Sequence, residues 1–438
     1  PPVSGVRLFR TDVADDALVK RVMEEVTGLD KRKDLLSALE STKGFVKIPD
    51  QLGWLDWRGA GRRGQALTLP KQLPKALKKV WSTKLTGPAV AGPAAAEKWV
   101  IIPDKNRGGK KDLFRCLDIT DGSELWRLEY EADMEMDYSN SPRATPVVHE
   151  GLVYLLGALG DLHCLRIETG EVVWRTNYYQ EYGGKLLPWG ASSPPLIVAE
   201  KLIINPGVPD SSLVALDRKT GRLIWETSGH AAAYSAFVID KLGGRQQIVG
   251  YDSASLGGWD PATGKRLWQH VPTEGSDFNV TTPLIYDGQL LLATENNGTR
   301  LHRFENNGKI VNKPVMANPS LAPDTCSPVI VGDRAFATAY GEMYCLDLKN
   351  NLKTVWMQED DMFYDHSNVI GGNGRVLVWT QSGDLLLLDA GANEFSPLSR
   401  LRPFGDVKVD SMSHPAIVGN RIYLRGPNEI ACLQFSGD

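Results

Sequence analysis

Cysteine is scarce in this chain, and none of it is clustered. Cys116, Cys164, Cys326, Cys345 and Cys432 are never adjacent and form no C-x-x-C. That spacing provides neither a disulfide framework nor a zinc site, and without C-x-x-C-H there is no attachment point for a covalent haem. Cys116, Cys164, Cys345 and Cys432 each stand at a similar place in the strand before a turn, which reads as a small buried core position. No run of 18 apolar residues occurs, so no transmembrane segment is expected. Charge of one sign is also lacking, since 49 Lys and Arg face 53 Asp and Glu. No basic arm or patch stands out, and nucleic acid is not an expected partner. Residue 1 is Pro rather than Met, which points to a processed or engineered end.

What the chain does have is a period. Aromatic residues make up only 8% of it, yet 12 are Trp, and these recur. Asp118-Gly122-Trp126, Asp217-Gly221-Trp225 and Asp260-Gly264-Trp268 share one spacing. Arg166-Gly170-Trp174 keeps the Gly and Trp, Asp347-Trp356 carries one extra residue, and Trp81 ends an earlier copy. The gaps from Trp81 to Trp268 are 45, 48, 51 and 43 residues, and the 88 from there to Trp356 are two units of 44. Such a period marks a stack of like supersecondary units. In each copy the Asp accepts from following amides, the Gly closes a hairpin at positive φ, and the Trp packs a large ring at a strand edge.

A second element precedes each turn: an apolar run, a turn, and another apolar run. It begins near residues 93, 146, 195, 236, 283, 328, 368 and 415. The Trp-strand positions match this number when Asn312 and Leu398 are counted as degenerate copies. Two inner strands, a third before the Asp and a fourth with the Trp make a four-stranded antiparallel blade. The expected fold is all-β, an eight-bladed β-propeller. The two series are out of phase at the ends, so the Trp81 strand is expected to complete the last blade beside residues 429–435 and close the ring. Residues 12–40 break the pattern. Leu18, Val19, Val22, Met23 and Val26 share one helical face, and Asp30 can cap a second helix with Leu35, Leu36 and Leu39. The expected domains are a helical N-terminal extension over 1–50 and the propeller over 51–438.

The unit Leu216-Asp217-x-x-Thr220-Gly221-x-x-x-Trp225 resembles the pyrroloquinoline-quinone (PQQ) type propeller repeat, over roughly residues 52–438. Trp54-Leu55-Asp56-Trp57-Arg58-Gly59-Ala60-Gly61-Arg62-Arg63-Gly64 is similar to the W-x-x-[WF]-R-G-x-x-R-x-G segment that opens many secreted bacterial propellers of this type. The resemblance implies an extracytoplasmic protein, periplasmic or secreted, with its signal peptide removed. The family includes quinoprotein alcohol dehydrogenases and also non-catalytic propellers, such as the lipoprotein that assists outer-membrane barrel assembly. For the dehydrogenases it implies PQQ, a calcium ion held by Glu, Asn and Asp, an Asp base, a Trp against the quinone and a vicinal cysteine pair. This chain has no Cys-Cys, and that set cannot be placed residue by residue. No cofactor is fixed by the sequence; PQQ and calcium are the two that the resemblance allows.

In a propeller the segments entering the innermost strands line the channel. Here they carry small hydroxyls, one Arg and two His. On one reading the hydroxyls satisfy backbone groups at strand starts and the Asp residues cap turns. On the other the mouth is an acidic, aromatic-edged funnel, with Arg143, Trp189, Ser192, Tyr234, Thr281, Tyr364, His366 and His414 as candidate ligand-binding residues. Asp324, Asp365 and Asp410 are then candidate carboxylate ligands for a metal such as calcium. His366, beside Asp365, is a candidate base, because a carboxylate raises and orients an imidazole. The expected function is a non-catalytic binding or assembly scaffold, with the mouth or one face taking a protein or a small polar ligand. The alternative is a quinone-dependent alcohol or polyol dehydrogenase with a reduced cofactor site.

Overall fold

The structure, a computed structural model, describes residues 53–435 apart from 89 and 97. The helical pair expected over 12–40 lies outside the described residues. The strands form eight four-stranded antiparallel sheets. Seven are consecutive in sequence, as in the first blade, with strands Ala94–Ala96, Trp99–Lys105, Lys111–Asp118 and Glu124–Glu131. The eighth joins both ends of the propeller. Ala416–Val418, Arg421–Arg425 and Glu429–Gln434 are completed by Lys78–Lys84, with Trp81 opposite Cys432. The ring therefore closes where the phase of the two series puts it. First strands of neighbouring blades meet near the axis, as Val329–Val331 does with Ser367–Gly372. Second and third strands are buried, whereas a fourth strand such as Glu124–Glu131 alternates half-buried and exposed residues along its length.

The repeated Gly and Trp act between blades. The Trp81 indole donates to the Ile119 carbonyl at 3.0 Å, Trp126 to Ile167 at 2.7 Å, and Trp174 to Arg218 at 3.1 Å. Each acceptor lies in the next blade's turn. The same turn's glycine receives the ring. A Cβ on Gly122 would come within 2.5 Å of Trp81, and one on Gly221 within 2.9 Å of Trp174. Gly170 and Gly264 meet Trp126 and Trp225 in the same way. All four glycines have φ between 71° and 74°, so two constraints exclude a side chain there. Cys116, Cys164, Cys345 and Cys432 are buried directly opposite Trp126, Trp174, Trp356 and Trp81, a small residue facing a large one across the pair. Asp118, Asp217 and Asp260 accept from the turn amides after them, as expected.

The two degenerate positions need correction. Blade five has its fourth strand at Met316–Asn318, so Asn312 is in a loop. A small extra hairpin, with Phe304 bridged to Ile310, lengthens that turn. In blade seven Ser399 stands opposite Leu387, and Leu398 falls at the bulge beside it. The fixed period misplaces both because the turns differ in length.

Before it forms a blade, the chain runs through the centre of the ring. Trp54 exchanges backbone hydrogen bonds with Ala95 at 2.6 and 2.9 Å, and Val148 donates to the Leu55 carbonyl. Arg62, 2% exposed, donates to the carbonyls of Pro194, Pro195 and Phe237 and pairs with Asp56 at 2.9 Å. The Trp57 indole donates to Thr282 Oγ1 at 3.0 Å, and Arg58 Nη2 donates to the Pro328 carbonyl at 2.5 Å. Ala66 donates to the Gly371 carbonyl, and Gly371 donates to that of Gly64. Trp54 and Trp57 flank His414, with ring centroids at 5.6 and 5.3 Å. These partners belong to the first strands, or the entries to them, of all eight blades. Residues 53–66 are a hub. Gly64, at φ 68°, allows the approach: a Cβ there would come within 2.6 Å of Arg58 Nη2.

Candidate functional site at the channel mouth

The loops that enter the first strands gather at one end of the ring and carry exposed aromatic rings. Trp189 contacts Phe278 at 4.7 Å, Tyr234 at 5.0 Å and, edge-on, Tyr138 at 6.4 Å. Tyr138, Phe278, Tyr340 and Tyr364 are 63, 55, 62 and 77% exposed, an unusual display for large rings. The loops that hold them are built rather than slack. Tyr138 has φ 57°, a left-handed conformation costly for a bulky residue. It is held by Arg143, whose guanidinium donates to the carbonyls of Asp137 and Ser139 on either side. The buried ammonium of Lys105, paired with Asp112 at 2.8 Å, also donates to the Asn140 carbonyl. Phe278 is fixed by its amide, which donates to Glu295 Oε1 at 2.7 Å. A short helix, Tyr178–Tyr182, is capped by Asn177 and stopped by Gly183 in the left-handed region. It starts the loop that carries Trp189.

Carboxylates are interleaved with the rings. Asp137 and Asp277 precede Tyr138 and Phe278, and Asp365 follows Tyr364. Asp277 accepts from the Asn296 amide and from Asn297 Nδ2. Burial pushes the Glu295 carboxyl up, and the neighbouring charges of Asp277 and Asp324 add to the rise. Tyr340 is raised by burial and by Asp324, Glu295 and Asp277, so these groups share one electrostatic neighbourhood. Among the described residues, none of Asp137, Asp277, Glu295, Asp324 and Asp365 forms an ion pair with Lys or Arg.

The expected site residues divide into two groups. Trp189, Tyr234 and Tyr364 lie on the mouth surface. Ser192 donates to the Tyr234 carbonyl at 3.2 Å, Thr281 donates to the Ala293 carbonyl, and Arg143 serves its own loop. His414 is 3% exposed, hydrogen-bonded through Nδ1 to the Pro415 carbonyl at 2.8 Å and covered by two tryptophans. Burial lowers its imidazole to about 3, and Arg58 adds to that. His366 does not follow the expectation that Asp365 raises it: burial outweighs Asp324 and Asp365 and holds the ring below the ordinary imidazole value. Tyr340 and the hub residues Asp56, Trp57, Arg58 and Arg62 were not among the expected site residues. The signal for the hub was present in the W-x-x-W-R-G segment, whose paired arginines had no assigned task. Tyr340-Gly341 looks like any hairpin turn in the sequence.

The calcium ligands expected at this mouth are not assembled there. Among the described residues no three His, Cys, Asp or Glu side chains gather where they could hold a metal, so Asp324, Asp365 and Asp410 do not form one such group. Asp410 accepts instead from Gln381 Nε2 at 2.7 Å. The hydroxyls that would line a polar ligand are bonded to backbone carbonyls, and the axis below them is filled by Trp57 and Arg58. The three carboxylates expected to hold calcium therefore do not form that site among the described residues.

These features define a class: an eight-bladed propeller centred on its own chain, with rings and carboxylates at one end. A family model described as outer membrane protein assembly factor BamB matches residues 76–181 and 109–351, together more than half of the chain. The chain belongs to this family of PQQ-like β-propellers. It is 22% identical to the outer membrane protein assembly factor BamB of Shewanella oneidensis, over 65% of this chain and 82% of that protein. It is 24% identical to the quinohemoprotein alcohol dehydrogenase ADH IIB of Pseudomonas putida, over 44% of this chain but only 30% of that enzyme. Among solved structures, BamB from Moraxella catarrhalis matches with a TM-score of 0.57 and 16% identity, over 82% of this chain and all of that one. The quinohemoprotein alcohol dehydrogenase from Comamonas testosteroni matches with a TM-score of 0.66 and 14% identity, over 94% and 83%. Both likenesses are to the fold. Among the described residues no helix is long and apolar enough to cross a membrane.

Proposed function

We propose that this protein is a non-catalytic binding or assembly scaffold of the extracytoplasmic space, and that the channel mouth is the face that takes a protein partner. The observation behind the reading is the display of Tyr138, Phe278, Tyr340 and Tyr364 at one end of a ring whose centre is already filled. Exposed apolar area of this kind, rimmed by polar groups, favours protein docking. The hub leaves the rings to act as a surface rather than as walls of a deep pocket. The extent of the sequence likeness supports the same side, because that match spans most of a BamB protein and less than a third of a dehydrogenase. The printed role of those relatives, outer-membrane protein assembly, is the proposed setting here as well.

The test is a photo-crosslinking residue at Tyr364, with a control at Leu223 on the outer edge of blade three, each introduced in the native host. Adducts at 364 and none at 223 are expected. Adducts only at 223, or none at either site, would overturn the reading. So would saturable binding of PQQ with calcium accompanied by alcohol-dependent dye reduction.

A further inference from the structure

Three entries on the mouth share one arrangement: a carboxylate adjacent in sequence to an exposed ring. They are Asp137-Tyr138, Asp277-Phe278 and Tyr364-Asp365, in the loops leading into blades two, five and seven. Tyr340 adds a fourth ring close to Asp324 and Glu295. Tyr364 lies 3.5 Å from a Cβ placed on Gly341, next to Tyr340, so the last two rings adjoin. Trp189 joins Tyr138 to Phe278. The result is an arc of aromatic faces with exposed carboxylates at Asp137 and Asp365, while Asp277 is buried and taken up by Asn296 and Asn297.

A ring face attracts a cation through its quadrupole, and a carboxylate attracts it by charge. Guanidinium satisfies both at once, because it is planar, stacks on rings and offers paired N–H groups to a carboxylate. An anionic partner, including nucleic acid or an acidic lipid surface, would meet repulsion from the same carboxylates. We infer that the mouth docks an extended protein segment bearing several arginines or lysines, with cations held by the exposed pairs Asp137-Tyr138 and Tyr364-Asp365 and the Phe278 and Tyr340 rings beside them. This rests on the reading of the mouth as a partner-binding face and specifies the chemistry of the partner.

The full chain is titrated with a fluorescein-labelled peptide of alternating Arg and Gly, with a peptide of alternating Glu and Gly as control, and anisotropy is read at low and high salt. The Arg peptide should bind and weaken with salt, and the Glu peptide should not bind. Asp137→Asn combined with Asp365→Asn should weaken binding by about tenfold or more. Phe278→Ala combined with Tyr364→Ala, which leaves every carboxylate in place, should weaken it by roughly fivefold. Equal binding of the two peptides, or none by either, overturns the inference. So does an unchanged affinity in the ring variant, since diffuse negative charge would then suffice. The failures are separable: a crosslink from position 364 into a partner segment without Arg or Lys would leave the docking face standing and remove the cationic segment.

Discussion

The tryptophan ladder near the perimeter and the hub at the axis hold the same eight blades by opposite logic. Trp81, Trp126, Trp174 and Trp225 each join one blade to the next, through an indole N–H on a neighbouring carbonyl and a ring on a neighbouring glycine, whereas the Trp268 indole donates to Gln247 in its own blade. One rung can be missing without disturbing the others, and blade seven has Ser399 at the ladder position. The hub joins every blade through one stretch of chain, and its side chains serve several blades at once. Redundancy lets a repeated element drift. A shared element has no spare copy.

The sharpest way to break this contrast is Arg62→Ala. The change strips three buried carbonyls and leaves Asp56 without its counter-charge. Removing one member of a buried ion pair costs about 3–5 kcal/mol, and denaturant unfolding should show a loss of that order. A loss below about 1 kcal/mol would mean that residues 53–66 merely occupy the axis.

Acid should discriminate between the two regions next. His414 in the hub is depressed to about 3, while His163 and His302, at blade interfaces, are depressed to about 4. Burial is the first cause in all three. In the unfolded chain these groups take up protons near 6.5, so between that pH and their folded values the unfolded state binds more protons. Stability is therefore full above about 6.5 and falls as pH drops toward 4, by up to roughly 3 kcal/mol for each group. His414→Gln should flatten the part of the acid limb that continues below pH 4, whereas His163→Gln should not. Identical limbs would show that the hub histidine titrates like the others.

A single rung is worth less. Trp174→Phe removes the hydrogen bond to the Arg218 carbonyl and part of the ring, and Gly221→Ala forces a Cβ against that ring at φ 72°. Each should cost about 1–2 kcal/mol. Because both act on one contact, the double variant should cost less than the sum of the two. Full additivity would mean that the ring and the glycine are not energetically coupled.

The ladder was legible because it repeats: the Asp-Gly-Trp spacing gives the blade, its number and the ring closure at Trp81. It failed at Asn312 and Leu398, where a longer turn shifts the strand and nothing in the local residues announces it. The buried cysteines were legible as small core positions, but their place opposite the tryptophans depends on register. The hub was visible only as a motif, because its partners lie up to 360 residues away along the chain, as Trp54 does from His414. At the mouth the residue types were readable, and the division of labour was not. Ser192, Thr281 and His414 look like ligand donors in one dimension and are bonded to backbone carbonyls in three.

The smallest effect on stability should come from the mouth, and Tyr138 is its clearest case. The residue sits at φ 57°, which for a non-glycine residue costs of order 1 kcal/mol. Its ring is mostly exposed and makes one edge contact with Trp189, worth about 0.5–1 kcal/mol. In Tyr138→Gly the relieved backbone strain and the lost ring contact should nearly cancel, leaving stability within about 1 kcal/mol of the parent. A residue retained for stability would not be placed in that conformation, with an arginine and a buried lysine holding its loop. If the variant instead loses more than about 2 kcal/mol, Tyr138 belongs with the ladder and the hub as part of what holds the blades, and the mouth loses one of its two exposed ring-and-carboxylate pairs.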